Sequence, residues 1–166
     1  MNAPAPAIRL LVCGNGDRGD DGAPLRAVAH VLPSLDAPLR GLLEVRRCQQ
    51  LDATDLIDVA AGEACLILDT VVGVEPGEIV EIALEDLATR PTLAPRSSHA
   101  LPISQVLGIA RSVRGSLPRG TFVGIGGKWF GFGELRSRAV RDGMDQFERS
   151  IAAALVALAT PQEVAR

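Results

Sequence analysis

Residues 10–24, LLVCGNGDRGDDGAP, run from an apolar stretch into a glycine-rich turn. The turn holds Gly14, Gly16 and Gly19 in the spacing G-x-G-x-x-G, and three aspartates, Asp17, Asp20 and Asp21, against one cation, Arg18. An apolar strand, such a turn and a helix together open an α/β unit, and the same spacing serves dinucleotide-binding turns. The variable positions decide between the readings. A pyrophosphate brought to the helix N-terminus needs donors and would meet three carboxylates. The downstream acid, Glu44, lies inside its predicted strand, whereas a ribose-binding acid belongs at the strand's carboxyl end. Pro24 and Pro33 also bracket a helix of barely three turns. A dinucleotide-binding domain is therefore the weaker alternative, and carboxylates gathered to meet a cation the stronger one. Aspartate suits a helix N-terminus, so one member of the Asp20–Asp21 pair is expected to cap the helix while the other faces outward.

Outward from this turn, strands and helices alternate. Residues 8–13 read as a buried strand and 23–32 as a helix ended near Pro33. Residues 42–48 read as a second strand, and 52–62 as a helix with Asp52 or Thr54 at its N-cap and Gly62 at its end. ACLILDTV, 64–71, is apolar on both faces and reads as a central strand. Glu75-Pro76-Gly77 then forms a tight turn into a strand over 78–84. That gap is shorter than the dozen or so residues of a parallel crossover, so this strand is expected to pair antiparallel at an edge. Residues 85–98 read as a long loop. Residues 99–115 read as a helix with Leu101, Val106, Ile109, Ala110 and Val113 on one face, and 120–127 as the fifth strand. In the last helix Val140, Met144, Phe147, Ile151, Leu155 and Leu158 form one apolar stripe. His30 reads as a structural residue on an apolar helix face. The pattern predicts one domain over residues 1–166, a three-layer α/β sandwich with a five-stranded, mostly parallel mixed sheet flanked by helices.

Composition narrows the function. The chain is 47% hydrophobic and 22% charged, as a globular domain should be. A net charge of −3 and an aromatic content of 3% make no case for a nucleic-acid or anionic-membrane partner. The first ten residues lack a basic segment followed by an apolar run, so no secretory leader is expected, and no apolar stretch approaches the roughly 20 residues of a membrane span. Cys13, Cys48 and Cys65 are far apart in the sequence, each in an apolar run, and read as free thiols in a reducing, cytoplasmic setting.

The candidate chemistry lies beyond the carboxyl ends of the strands, where open α/β sheets bind ligands. Asp21 follows the first strand, Asp69 ends the third, and His99 opens a helix; the other histidine is His30. With strands one and three adjacent at the switch point of the sheet, the three could converge on one rim. Two carboxylates and an imidazole make a three-ligand metal site with open positions for water or substrate. Nickel, zinc and iron all accept such ligands.

These residues also carry a family resemblance. CGNGDRGDDGAP after a first strand, LILDTV ending a third and SSHALPISQVLGIAR opening a helix resemble the three signatures of the hydrogenase maturation endopeptidases. Order, spacing and context match over roughly residues 8–115. Gly14, Asn15, Asp20, Asp21 and Gly22 fill the first signature, G-N-x-x-x-x-D-[DE]-G. The resemblance implies that Asp21, Asp69 and His99 are both the metal ligands and the catalytic residues. It implies that the substrate is a nickel–iron hydrogenase large-subunit precursor, trimmed at its C-terminus after nickel insertion, with the nickel supplied by that precursor. Gly14, Asn15, Gly16, Lys128 and Trp129 are the expected substrate contacts. The chain departs from the family at Asp17, usually apolar, at Ala23-Pro24, and after the fifth strand. There a segment with a proline and an acid is usual, and KWFGFG stands instead. The rival readings are a non-catalytic module that binds a metalloprotein precursor, the dinucleotide-binding domain, and a hydrolase using Cys13. The last has no histidine placed beside the thiol by the sequence.

Overall fold

The computed structural model describes residues 7–89, 94–95 and 101–160. Five strands form the predicted mixed sheet: β1 (Ile8–Cys13), β2 (Leu43–Cys48), β3 (Ala64–Val72), β4 (Ile79–Ala83) and β6 (Gly120–Gly126). A two-residue strand, β5 (Ala94–Pro95), pairs antiparallel with Val71 and Val72. The order is β2-β1-β3-β6-β4, with β4 antiparallel at the edge beside β6. The largely apolar β3 sits between β1 and β6, where both faces are covered.

Helices cover the two faces. On one, α1 (Ala23–Ser34) and α6 (Arg138–Ala159) pack on Ile8, Leu10, Val12, Leu66, Leu68 and Ile125. The stripe Val140, Met144, Phe147, Ile151, Leu155 and Leu158 is buried there, as the periodicity predicts. On the other face lie α3 (Ala53–Ile57), α4 (Leu84–Leu87) and α5 (Ile103–Arg114), against Leu11, Ile67, Val71 and Phe122. A short α2 (Ala37–Gly41), capped by Asp36, leads into β2.

Several expected boundaries move, each for a local reason. Helix α1 continues through Pro33 to Ser34, because a proline in the last turn forfeits only one bond of the ladder. Asp52 caps α3 in a reciprocal box with Asp55. That helix ends at Ile57, not Gly62, and the Arg114 guanidinium takes its last carbonyls, Leu56 at 3.1 Å and Ile57 at 3.3 Å. The expected loop over 85–98 opens with the helical turn α4, whose Leu84 and Leu87 are buried; within it, 90–93 and 96–98 lie outside the described residues. Helix α5 begins at Ile103 and buries Ile103, Val106, Leu107 and Ala110, leaving Leu101, Ile109 and Val113 exposed. Apolar residues occur on both sides of this helix, and the position of the sheet selects the buried side. His30 is not on an apolar face: it is exposed on α1, with Nδ1 2.8 Å from Glu148 of α6.

One polar cluster lies within the sheet layer. Arg9 of β1 is buried and pairs with Glu44 at 3.2 Å, Asp58 at 2.5 Å and Glu63 at 3.6 Å. A hydrogen bond from Arg46, aided by the charge of Arg9, holds Glu44 below the usual carboxylate range. Burial pushes Asp58 up, but Arg46 and Arg9 outweigh it and leave this carboxyl lowered too. Removing the buried guanidinium would strand Glu63, which is buried with it. Arg9→Met should therefore cost about 3 kcal/mol in urea unfolding at neutral pH. Lowered carboxyl groups stabilise the fold above their unfolded pKa and lose that contribution as the pH falls through the folded one. The gap between wild type and variant should therefore narrow below roughly pH 4.

Candidate functional site

The turn after β1 is built from its own hydrogen bonds. Gly14 N–H donates to the Cys48 carbonyl at 3.0 Å, tying the ends of β1 and β2. Asn15 N–H donates to Asp21 Oδ2 at 2.9 Å, and its side-chain oxygen accepts from Asp17 N–H at 2.9 Å. The chain then tightens into a 3-10 turn over Gly19–Gly22. Two glycines here are compulsory. Gly14 has φ +135°, and a Cβ on it would lie 2.1 Å from the Asp21 carbonyl oxygen. Gly19 has φ +52°, and a Cβ there would lie 2.3 Å from the Trp129 ring. These glycines thus serve close approach within the chain itself.

Asp20 is the hub of the region. Its Oδ2 accepts from Lys128 N–H at 2.7 Å, Trp129 N–H at 2.8 Å and the Ser137 hydroxyl at 2.8 Å, and its Oδ1 accepts from Ser137 N–H at 2.6 Å. The backbone continues the seam: Asp20 N–H donates to the Trp129 carbonyl, Gly19 N–H to the Gly133 carbonyl, and Gly133 N–H to the Asp17 carbonyl. The fully buried carboxylate therefore stitches the first turn to the segment between β6 and α6. The expectation that one acid caps α1 is corrected: the N-cap is Gly22, with no side-chain cap, and Pro24 in the first turn removes one donor that would need one. Nor does either acid face outward, since both are buried.

Asp21 is 3% exposed and Asp69 is 8% exposed. A backbone amide orients each, Asn15 N–H on Asp21 and Thr70 N–H, at 2.8 Å, on Asp69. The Thr70 hydroxyl donates to the Asp20 carbonyl at 2.9 Å and ties the first turn to the end of β3. Asp21 follows β1, and Asp69 lies inside β3 just past Leu68, its last residue paired with β1, so both belong to the end of the sheet where the strand order reverses. The bonds of Arg114 to carbonyls just ahead of β3 put the C-terminal end of α5 at the opposite edge. His99 lies outside the described residues, and among the described residues no three His, Cys, Asp or Glu side chains group as a metal site. Of the expected contact residues, Gly14 is buried, Asn15 is half-buried, and Gly16, Lys128 and Trp129 are exposed.

The turn's amides are committed to carbonyl and carboxylate oxygens of the chain, Gly14, Asn15, Asp17, Arg18, Gly19, Asp20 and Asp21 all donating internally. No cradle remains for a pyrophosphate, which removes the dinucleotide reading. The cysteines, distant in sequence, are not all distant in space. Cys13 and Cys48 are register partners with sulfurs 3.0 Å apart, both free thiols. Contact with Cys48 and burial push the Cys13 thiol well up, and burial pushes Cys65 up to about 12. Neither is a thiolate nucleophile at neutral pH.

The sequence reading missed Asp20 as an anchor, with its partners Thr70 and Ser137. Ser137 could have been found: it precedes the last apolar helix, and its hydroxyl accepts from Val140 N–H at 3.4 Å as an N-cap. Asp20→Asn is isosteric but turns a donor toward donors whichever way the amide sits. It should cost about 2 kcal/mol in urea unfolding, with Asp20→Ala costing more. Amide exchange should show Lys128, Trp129 and Ser137 losing protection first; unchanged protection there would refute the anchoring role.

No protein-family model matches the sequence, and no curated protein does. Solved structures do match its fold. The hydrogenase maturating endopeptidase HybD from E. coli aligns with a TM-score of 0.71 at 21% identity, covering 92% of this chain and 93% of that one. The [NiFe] hydrogenase maturation protease HycI from Thermococcus kodakarensis KOD1 aligns with a TM-score of 0.64 at 20% identity, covering 93% and 95%. The HybD protease of Thermococcus kodakarensis aligns with a TM-score of 0.59 at 22% identity, covering 89% and 98%. Over nearly its whole length, the chain has the fold of the hydrogenase maturation endopeptidases.

Proposed function

We propose that the protein is an endopeptidase that removes the C-terminal peptide of a nickel–iron hydrogenase large-subunit precursor after nickel insertion. The observation that carries the reading is the Thr70–Asp20 hydrogen bond, which holds the Asp21 turn against the Asp69 end of β3 within the fold of these endopeptidases. Asp21, Asp69 and His99 form the proposed donor set, two hard carboxylates and one borderline imidazole, suited to a divalent ion such as nickel. The nickel arrives with the substrate. Held by these residues, it would supply Lewis-acid chemistry, polarising the scissile carbonyl or lowering the pKa of a water. Asp21 and Asp69 hold and orient the precursor's centre, and whichever carboxylate oxygen is not engaged with the ion accepts the proton of the attacking water. That proton passes to the amine released when the peptide C–N bond breaks. The fold's amide-fixed carboxylates need no reorganisation for this work. No helix among the described residues is long and apolar enough to cross a membrane, and we assign the protein to the cytoplasm, where a reduced set of thiols fits.

Incubation with nickel-loaded and nickel-free precursor, followed by mass spectrometry, tests the proposal. The loaded precursor alone should lose its C-terminal peptide. Asp21→Asn, Asp69→Asn and His99→Ala should each abolish the mass loss and leave a cooperatively folded protein by circular dichroism. Full cleavage by the His99→Ala protein would overturn the assignment, and binding without cleavage by the wild type would favour the non-catalytic module.

A further inference from the structure

The segment between β6 and α6 has a character opposite to the rest of the chain. The protein carries a net charge of −3 and five aromatic residues, counted as one Trp and four Phe. Residues 127–137 hold three of those aromatics, and the cations Lys128 and Arg136 against the single acid Glu134. Phe130 is half-buried, but three other apolar side chains stand off the core. Trp129 is 42% exposed, Phe132 77% and Leu135 76%. Arg18 of the first turn lies over the Phe132 ring, 3.7 Å from its centroid, so the cationic rim and the aromatic patch are one surface.

This surface is held in place. Asp20 and the backbone bonds between residues 17–20 and 129–133 fix the segment against the turn that carries Asp21. A fixed, exposed aromatic surface gives up little conformational entropy when a partner covers it. From Glu134 and Arg136 a shallow groove of about 320 Å³ runs past Gly16 and Asp17 to Arg26, joining the patch to the outer side of the same turn.

We infer that Trp129, Phe132 and Leu135, with Arg18, Lys128 and Arg136 around them, form the docking surface for an acidic segment of the precursor protein that bears an apolar anchor residue. This rests on the endopeptidase reading above and deepens it: the rim acids meet the metal-bearing end of the substrate, and the basic aromatic patch supplies affinity from a separate part of it. Charge complementarity favours the acidic partner, because Lys128 is exposed and Arg18 and Arg136 are half-exposed around the aromatics, outnumbering the acids Asp17 and Glu134 on a protein that is acidic overall. Apolar side chains this exposed at the centre of a polar rim are the arrangement of an interface anchor.

The experiment uses the full chain and the nickel-loaded large-subunit precursor, with Kd from biolayer interferometry and KM and kcat from the mass assay. Phe132→Ser/Leu135→Ser alters two exposed side chains outside the rim site. It should raise Kd and KM by about tenfold and leave kcat within about twofold, since the lost contacts serve ground state and transition state alike. Arg136→Glu should weaken binding most at low salt. Asp21→Asn should abolish cleavage and still bind. Wild-type Kd and KM in the double variant, with cleavage abolished by Asp21→Asn, would overturn the docking surface and leave the endopeptidase standing. A wild-type protein that neither binds nor cuts the precursor would overturn both. Retention of a single-stranded DNA probe in place of the precursor, lost in the double variant, would overturn the protein partner in favour of nucleic acid.

Discussion

A buried carboxylate that accepts three backbone amides and a hydroxyl is the constraint on which the working end of this molecule depends. Asp20 is removed from water, so its charge must be satisfied by the protein, and the protein satisfies it with groups from a segment more than one hundred residues away. Charge-assisted bonds of this kind are stronger than neutral ones and directional as well. The first turn and the β6–α6 segment consequently move as one piece. Ser137 completes the joint, since one hydroxyl both donates to Asp20 and caps α6.

The adjacent acids have divided their tasks. Asp20 spends its lone pairs on the scaffold, and its backbone carbonyl takes the Thr70 hydroxyl that ties β3 to the turn. Asp21, one residue on, is placed at the rim with Asp69 by those same bonds. Such support from neighbouring groups is what holds a reacting constellation in position. The cost is conformational: Gly14 and Gly19 must occupy positive φ, and each is crowded by atoms that a side chain would strike. The glycine spacing that looks like a phosphate turn is the signature of this tight packing.

The opposite end of the sheet follows different rules. There Arg9 is buried among Glu44, Asp58 and Glu63, and the cluster joins β1 and β2 to the segment after α3. Removing one partner of such a buried pair leaves the other charge uncompensated. The molecule thus has a charged joint at each edge of the sheet, one built on a buried guanidinium and the other on a buried carboxylate, with continuous apolar packing between them.

Periodicity and chain length were enough for the sheet and its helices. A strand opening on the apolar run ACLIL had to be buried on both faces, which made β3 central; a short turn could not cross over, which made β4 antiparallel; and the stripe of α6 left one choice of buried side. The turn chemistry pointed to the end of β1, whereas β3 runs three residues past Asp69, to Val72. Other features depended on which groups the fold made neighbours. In α5 two apolar stripes competed, and only the position of the sheet chose Leu107 over Ile109 and Val113. Asp20 looked like a cap because capping is a local interaction, legible within four residues, whereas its real partners come from the far end of the chain. The nearness of Cys13 to Cys48, the pairing of His30 with Glu148 and the exposure of Phe132 and Leu135 were decided the same way. Local propensity and hydrophobic period are written along the chain, but a hydrogen-bond partner or a solvent-facing surface is a property of three-dimensional packing.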